Sequence, residues 1–193
     1  MNINQICKSA YFALHRIGKI RGLLDQSSTE KLVHAFVSSR LDYCNSILYG
    51  STSHELQKLQ SVQNAAARLV TLSKRCEHIT PILYDLHWLP IKERIKFKIL
   101  LLIQKILFDS APQYLCDLIE LYVPVRSDLR SSNVNLLKRN DSKTINMTYG
   151  WRAFSICGPF LWNELPPHLR QATSVEMFKK QLKTHLFKTY FLS

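Results

Sequence analysis

At 193 residues, with 46% hydrophobic, 10% aromatic and 21% charged side chains, the chain holds too much apolar surface to stay disordered and enough to bury one core or two small ones. Its 26 Lys and Arg stand against 14 Asp and Glu, a formal charge of +12 that suits a polyanionic partner better than an average enzyme. The longest aliphatic run, Ile99 to Ile103, is five residues against the roughly 20 that cross a bilayer, and no signal-peptide pattern opens the chain, so no membrane association and an intracellular location, nucleus or cytoplasm, are expected.

Residues 3–24 place Ile6, Ala10, Ala13, Leu14, Ile17, Ile20 and Leu24 at three- and four-residue intervals, with Lys8, Arg16, Lys19 and Arg21 off that stripe, which predicts an amphipathic helix. Ser27 with Glu30 three residues on predicts the cap of a second helix, whose apolar face runs through Leu32, Phe36 and Ile47 until Gly50. The stretch from Arg40 to Tyr49 contains no helix breaker. Thr52 and Glu55 repeat the capping-box spacing and open a third helix with Leu56, Leu59, Val62, Ala66, Leu69 and Val70 inside. Thr80-Pro81 reads as an N-cap and first helical residue of a short helix that ends near the His87-Trp88-Leu89-Pro90 corner.

From Ile91 to Phe108 the set Ile91, Ile95, Ile99, Leu102, Ile103 and Ile106 keeps helical period, decorated by Lys92, Arg94, Lys96, Lys98 and Lys105. Ser110 with Gln113 opens a further short helix to about Leu121. After Pro124 the texture turns polar, and two alternating runs, 133–138 and 143–149 around Asn140-Asp141, predict a β-hairpin. Trp151, Phe154, Phe160 and Trp162 form an aromatic cluster, and a last helix from Ser174 to Tyr190, capped by Thr173 with Glu176, carries Phe178, Leu182 and Leu186 inside.

Catalytic signatures are missing. Metal-assisted phosphoryl transfer needs carboxylates close enough to hold divalent cations, and the aspartates here are scattered singly, with no Asp-Asp pair. No nucleophile elbow or phosphate-cradling glycine loop occurs, and Cys76-Glu77-His78 reads as a turn with an exposed imidazole. The five cysteines lie far apart without a C-x-x-C pair, so reduced and mostly buried thiols are expected rather than disulfides or a zinc site. No catalytic residue, metal, cofactor or small-molecule substrate is therefore expected. Trp88, Trp151 and Trp162 sit among Leu, Pro and Phe, which reads as core anchoring rather than base stacking.

What remains is a basic, mainly helical binding module. The basic excess is spread along the chain, +3 over residues 1–50, +4 over 51–110 and +5 over 111–193, so there is no dedicated basic tail. The positions expected to contact a nucleic-acid backbone are Arg68, Lys74, Arg75, Lys92, Arg94, Lys96 and Lys98; the plain alternative is a solvated helix face.

Several segments carry a resemblance. Arg40-Leu-Asp-Tyr-Cys-Asn-Ser-Ile-Leu-Tyr-Gly50, Leu59-Gln-Ser-Val-Gln-Asn-Ala-Ala-Ala-Arg-Leu-Val70, Ala111-Pro-Gln-Tyr-Leu115 and Phe154-Ser-Ile-Cys-Gly-Pro-Phe-Leu-Trp-Asn-Glu-Leu-Pro166, in this order, resemble the region downstream of the catalytic palm in reverse transcriptases of non-LTR, LINE-type retrotransposons of the jockey-like and related clades. The resemblance implies a mainly α fold: a thumb-like helical bundle, then a smaller C-terminal part with a short β-hairpin and a terminal helix. It implies segments at 1–75 (thumb-like), 76–124 (helical C-terminal region), 125–150 (loop and hairpin) and 151–193 (aromatic cluster and terminal helix). The aspartate-pair palm and the endonuclease of such enzymes are missing, and a start at Met1 just before the thumb-like helix is what a truncated copy or partial gene model would show. The Cys/His knuckle that ends some relatives is missing too. The expected function is thus a non-catalytic fragment of an RNA-directed DNA polymerase that holds template RNA or a primer duplex. The alternative is a helical protein-interaction remnant that packed on the absent palm domain.

Overall fold

The computed structural model describes residues 2–123, 135–139 and 150–192. The described residues are all α, with no β-strand among them, and they divide into two compact units: residues 1–95 with 190–193, and residues 96–189.

The first unit is built around two long helices. In α1 (Ile3–Ile20) the Asn2 side chain accepts from Gln5 N, and Ile3, Ala10, Ala13, Leu14 and Ile17 turn inward against α4 (Ser53–Thr71). Small side chains on both partners, Ala10 and Ala13 facing a helix that buries Ala66 and Ala67, permit the close approach. The helix stops at Ile20, short of the expected residue 24 and with Ile20, expected on the inward stripe, 44% exposed, and a 3-10 turn, Arg21–Leu23, follows. Arg21, expected on the surface, is buried. Its guanidinium donates to the carbonyls of Leu69 (3.0 Å), Val70 (2.9 Å) and Leu24 (2.6 Å), so it serves carbonyls in the last turn of α4 that have no intrahelical partner. At its other end α4 carries the expected capping box, Thr52 Oγ1 accepting from Glu55 N while the Glu55 carboxylate accepts from Thr52 N.

The predicted second helix reaching Gly50 is broken. Asp25, not Ser27, caps α2 (Gln26–Val33) by accepting from Ser28 N at 3.0 Å; hydrogen bonding with the Ser28 side chain, and then this backbone bond, hold its carboxyl below the ordinary range. A π-helical turn, His34–Ser38, then leads into the single-turn α3 (Ser39–Asp42), and the chain leaves helical geometry at Tyr43 and Cys44, which has φ 51°. The wide turn brings Val33, Val37 and Leu41 to the core and leaves the expected interior residues Phe36 and Ile47 50% and 65% exposed. No glycine or proline causes the break. It is tied down instead by tertiary contacts of Asp42, whose carboxylate accepts from Asn45 Nδ2 and from the Arg94 guanidinium.

α5 (Ile79–Asp85) starts two residues earlier than predicted, with His78 at the N-cap and Pro81 third in the helix. Proline is tolerated there because the first-turn N–H groups have no carbonyl to meet. The corner after it is stitched to α4: Gln63 Nε2 donates to Leu89 O at 2.8 Å and Ile91 N donates to Gln60 Oε1 at 2.9 Å. Buried Trp88 donates Nε1–H to Glu30 at 3.1 Å, so Glu30 serves the indole and not the cap assigned to it from sequence. α6 (Ile91–Leu107) buries Ile91, Ile95, Ile99, Ile103 and Ile106 as its period predicts.

In the second unit, α7 (Gln113–Cys116) is a single turn with Pro112 at its N-cap, not a helix to Leu121; Ser110 Oγ donates to Lys105 O instead of capping it. The β-hairpin is not seen. Its turn and second arm lie outside the described residues, and within the first arm Leu137 forms an isolated antiparallel bridge with Leu121. Asn163 completes that segment, accepting from Leu137 N and donating to Leu137 O, both at 2.9 Å. The aromatic cluster is a helix, α8 (Phe154–Asn163), with Pro159 inside it and Gly158 so close to Ile103 that a Cβ would meet Ile103 Cδ1 at 3.2 Å. Trp162, fully buried, packs against Phe178 and donates Nε1–H to Asn135 O at 2.8 Å. After the short α9 (Pro167–Arg170), α10 (Val175–Phe191) buries Phe178, Leu182 and Leu186 as expected, but its cap is Ser174, which accepts from Met177 N, rather than Thr173.

Candidate nucleic-acid interface

The seven basic residues singled out from sequence do not form one surface. Arg68, half-buried in the last turn of α4, donates to Glu77 O at 3.2 Å and so holds the turn that carries exposed Lys74 and Arg75. These three belong together. Arg94 is spent on Asp42, with Nε donating to Oδ1 at 2.8 Å and Nη2 to the second carboxylate oxygen. On α6, Lys92 shares a face with Lys96 and Arg94 with Lys98, and the two pairs point about 200° apart at helical spacing, so they make no stripe along a phosphate backbone.

The acids explain where free positive charge is left. In the first unit Asp25 and Glu55 cap helices, Glu77 accepts from Lys74 N at 2.7 Å, Glu30 accepts from Trp88 and faces His34 at 3.4 Å, Asp42 takes Arg94, and Glu93 is buried. Six carboxylates of this unit are thus committed to backbone N–H groups, internal partners or the interior, whereas Asp85, at the C-terminal end of α5, is exposed.

The largest consequence is on α1, which contains no acidic residue. Lys8, Phe12, His15, Arg16 and Lys19, one to three turns apart, share the face opposite Ala10, Ala13 and Ile17, and all five are exposed. None of its three cations has a carboxylate partner among the described residues. Phe12 is 63% exposed, with the Arg16 guanidinium 5.7 Å from its ring centroid. Tyr11 lies to one side of this face; burial and the Cys7 thiol raise its phenol above the ordinary value, while the charge of Arg75 acts in the opposite direction. The signal was present in the sequence as an amphipathic helix whose polar side lacks a single Asp or Glu.

Other chemistry-bearing groups are accounted for by packing. Ser38 Oγ lies 3.2 Å from His34 Nδ1, and His34 Nε2 lies 3.4 Å from Glu30, a Ser-His-acid order along one helical face. The surrounding backbone N–H groups are engaged in the helix and leave no pair of donors aimed at a developing oxyanion, while Glu30 also holds the Trp88 indole. Among the described residues no three His, Cys, Asp or Glu side chains converge as a metal ion requires, and no helix is long and apolar enough to cross a membrane. All five cysteines are free; only Cys157 is buried, its thiol pushed up to about 11 by burial, whereas Cys44 and Cys76 are exposed, contrary to the expectation that most would be inside. Trp88 and Trp162 are core residues, and Trp151 packs half-buried against Phe160 at 4.7 Å.

No family model, no curated protein and no solved structure matches the chain.

Proposed function

We propose that this chain is a non-catalytic, nucleic-acid-binding piece of a non-LTR retrotransposon RNA-directed DNA polymerase, acting without metal, cofactor, membrane or small-molecule substrate. The likeness of its motifs to the region beyond the palm supports the origin, and the acid-free cationic face of α1, with Lys74 and Arg75 in the turn after α4, supports the binding. The single observation that carries the reading is that Lys8, Arg16 and Lys19 project from one helix with no carboxylate partner among the described residues. Such a face attracts the sugar-phosphate backbone of RNA or DNA, and each contact releases condensed counterions. Binding of the full chain to labelled RNA, measured across a salt series, tests this. Affinity should fall steeply, by about 0.7 to 0.9 in log–log slope per phosphate contact; no binding, or affinity flat with salt, rejects it.

A second reading, a helical remnant that packed on a palm domain in a longer product, is favoured by a different surface. Phe36, Tyr43 and Ile47 stand 50%, 73% and 65% exposed around the broken helix. If they met a protein, replacing all three by serine should reduce self-association of the isolated chain and leave RNA affinity alone.

A further inference from the structure

Resting on the nucleic-acid reading, we propose that the exposed face of α1 is a platform for single-stranded polynucleotide, with Lys8, Arg16 and Lys19 holding phosphates and the Phe12 ring stacking on an unpaired base. The argument begins with Phe12. It stands one turn from Lys8 and one turn from Arg16 on the same face, and 63% of it meets solvent. A phenyl ring has no polar handle, so on the crest of a cationic helix its exposure costs solvation and contributes nothing to a phosphate contact. In a duplex the faces of the bases are already stacked on one another, and a helix laid along a groove meets edges, sugars and phosphates. A single strand offers what a duplex hides: base faces that are free to stack, interleaved with backbone charge.

The spacing suits this division of labour. From Lys8 to Lys19 the helix advances about 16 Å at about 1.5 Å per residue, with Phe12 and Arg16 between them, so charge and ring alternate along one line instead of flanking a groove on two edges. The Arg16 guanidinium lies over the Phe12 ring, 5.7 Å from its centroid, and adds a cation–π contribution on one face of the ring. Tyr11, 44% exposed, extends the same surface sideways. The opposite side of α1 is packed into the core on α4, so the platform is rigid before any ligand arrives.

The test uses the full chain with two probes: a short unstructured RNA oligonucleotide and the same strand annealed to its complement. The single strand should bind more tightly than the duplex. Phe12→Ala, at an exposed position where the fold is not at stake, should weaken single-strand binding about 5- to 150-fold, leave the salt slope unchanged and leave the duplex unaffected; Phe12→Trp should restore it. Lys8→Ala and Lys19→Ala should instead each lower the single-strand slope by about 0.7. A duplex bound as well as or better than the single strand, or an equal loss on both probes from Phe12→Ala, overturns the platform while the broader reading stands. No binding to either probe removes both.

Discussion

Helices α1 and α6 are both rich in lysine and arginine, yet only on α1 do the cations gather on one face. α6 has the higher density, with Lys92, Arg94, Lys96, Lys98 and Lys105 over 17 residues. Its cations diverge around the helix, and Arg94 is bound to Asp42. α1 has fewer, but they share a face and the helix carries no acid. The lesson is that a basic surface is defined by the carboxylates that are not there. Charge on a helix becomes available only where folding has assigned the acids elsewhere, and here caps, the Trp88 indole and the α4–α5 turn take them.

That contrast can be broken at the residues whose charge is used inside. The largest effect is expected for Arg21→Met, which keeps the bulk but strips three carbonyls of their donor. Unfolding by urea should show a loss of about 3 kcal/mol, since a buried charged hydrogen-bond set is removed and the end of α4 is left bare. RNA affinity of the folded fraction should not change.

Arg94→Gln should cost less, about 1 kcal/mol, because the ion pair with Asp42 is partly exposed, the two side chains retaining 20% and 39% of their accessibility. The salt slope of RNA binding should not change; a lower slope in this variant would mean that Arg94 is a phosphate ligand.

The smallest effect concerns pH. Burial, and secondarily the positive charge of His168, lower the affinity of His185 for a proton. Its folded value lies below its unfolded one, so its contribution is complete above the ordinary histidine range, where both states are neutral. It declines as pH falls through that range, because the unfolded chain takes up the proton first, and levels off below the folded value. His185→Gln should flatten this limb of a stability-against-pH curve, without altering stability change with pH above it.

Local rules carried much of the architecture. The buried stripe of α1, the capping box of α4, the apolar row of α6 and the Phe178, Leu182 and Leu186 face of α10 were all legible because each depends on neighbours within a few turns. Features set by distant partners were not. The break at Tyr43 and Cys44 depends on Arg94, 52 residues beyond Asp42, and the burial of Arg21 depends on Val70, 49 residues away. α8 was hidden for another reason: Gly158-Pro159 in mid-segment reads as a breaker, but Gly158 is needed for contact with Ile103 and Pro159 is accommodated inside the helix. At the candidate interface, Arg68, Lys74 and Arg75, expected from sequence, do come together at the end of α4 and the turn after it, whereas the face of α1 was not expected, because its availability depends on where folding commits the acids of distant segments.

The most direct measurement of the central claim compares two charge-removal variants of the full chain, Lys8→Ala/Arg16→Ala/Lys19→Ala on α1 and Lys92→Ala/Lys98→Ala on α6, by RNA binding over a salt series. The α1 variant should lose about 2 in log–log slope, at about 0.7 per contact, and most of its affinity, while the α6 variant should stay near the parent. An α6 variant that loses as much slope as the α1 variant, or an α1 variant indistinguishable from the parent, would contradict that claim.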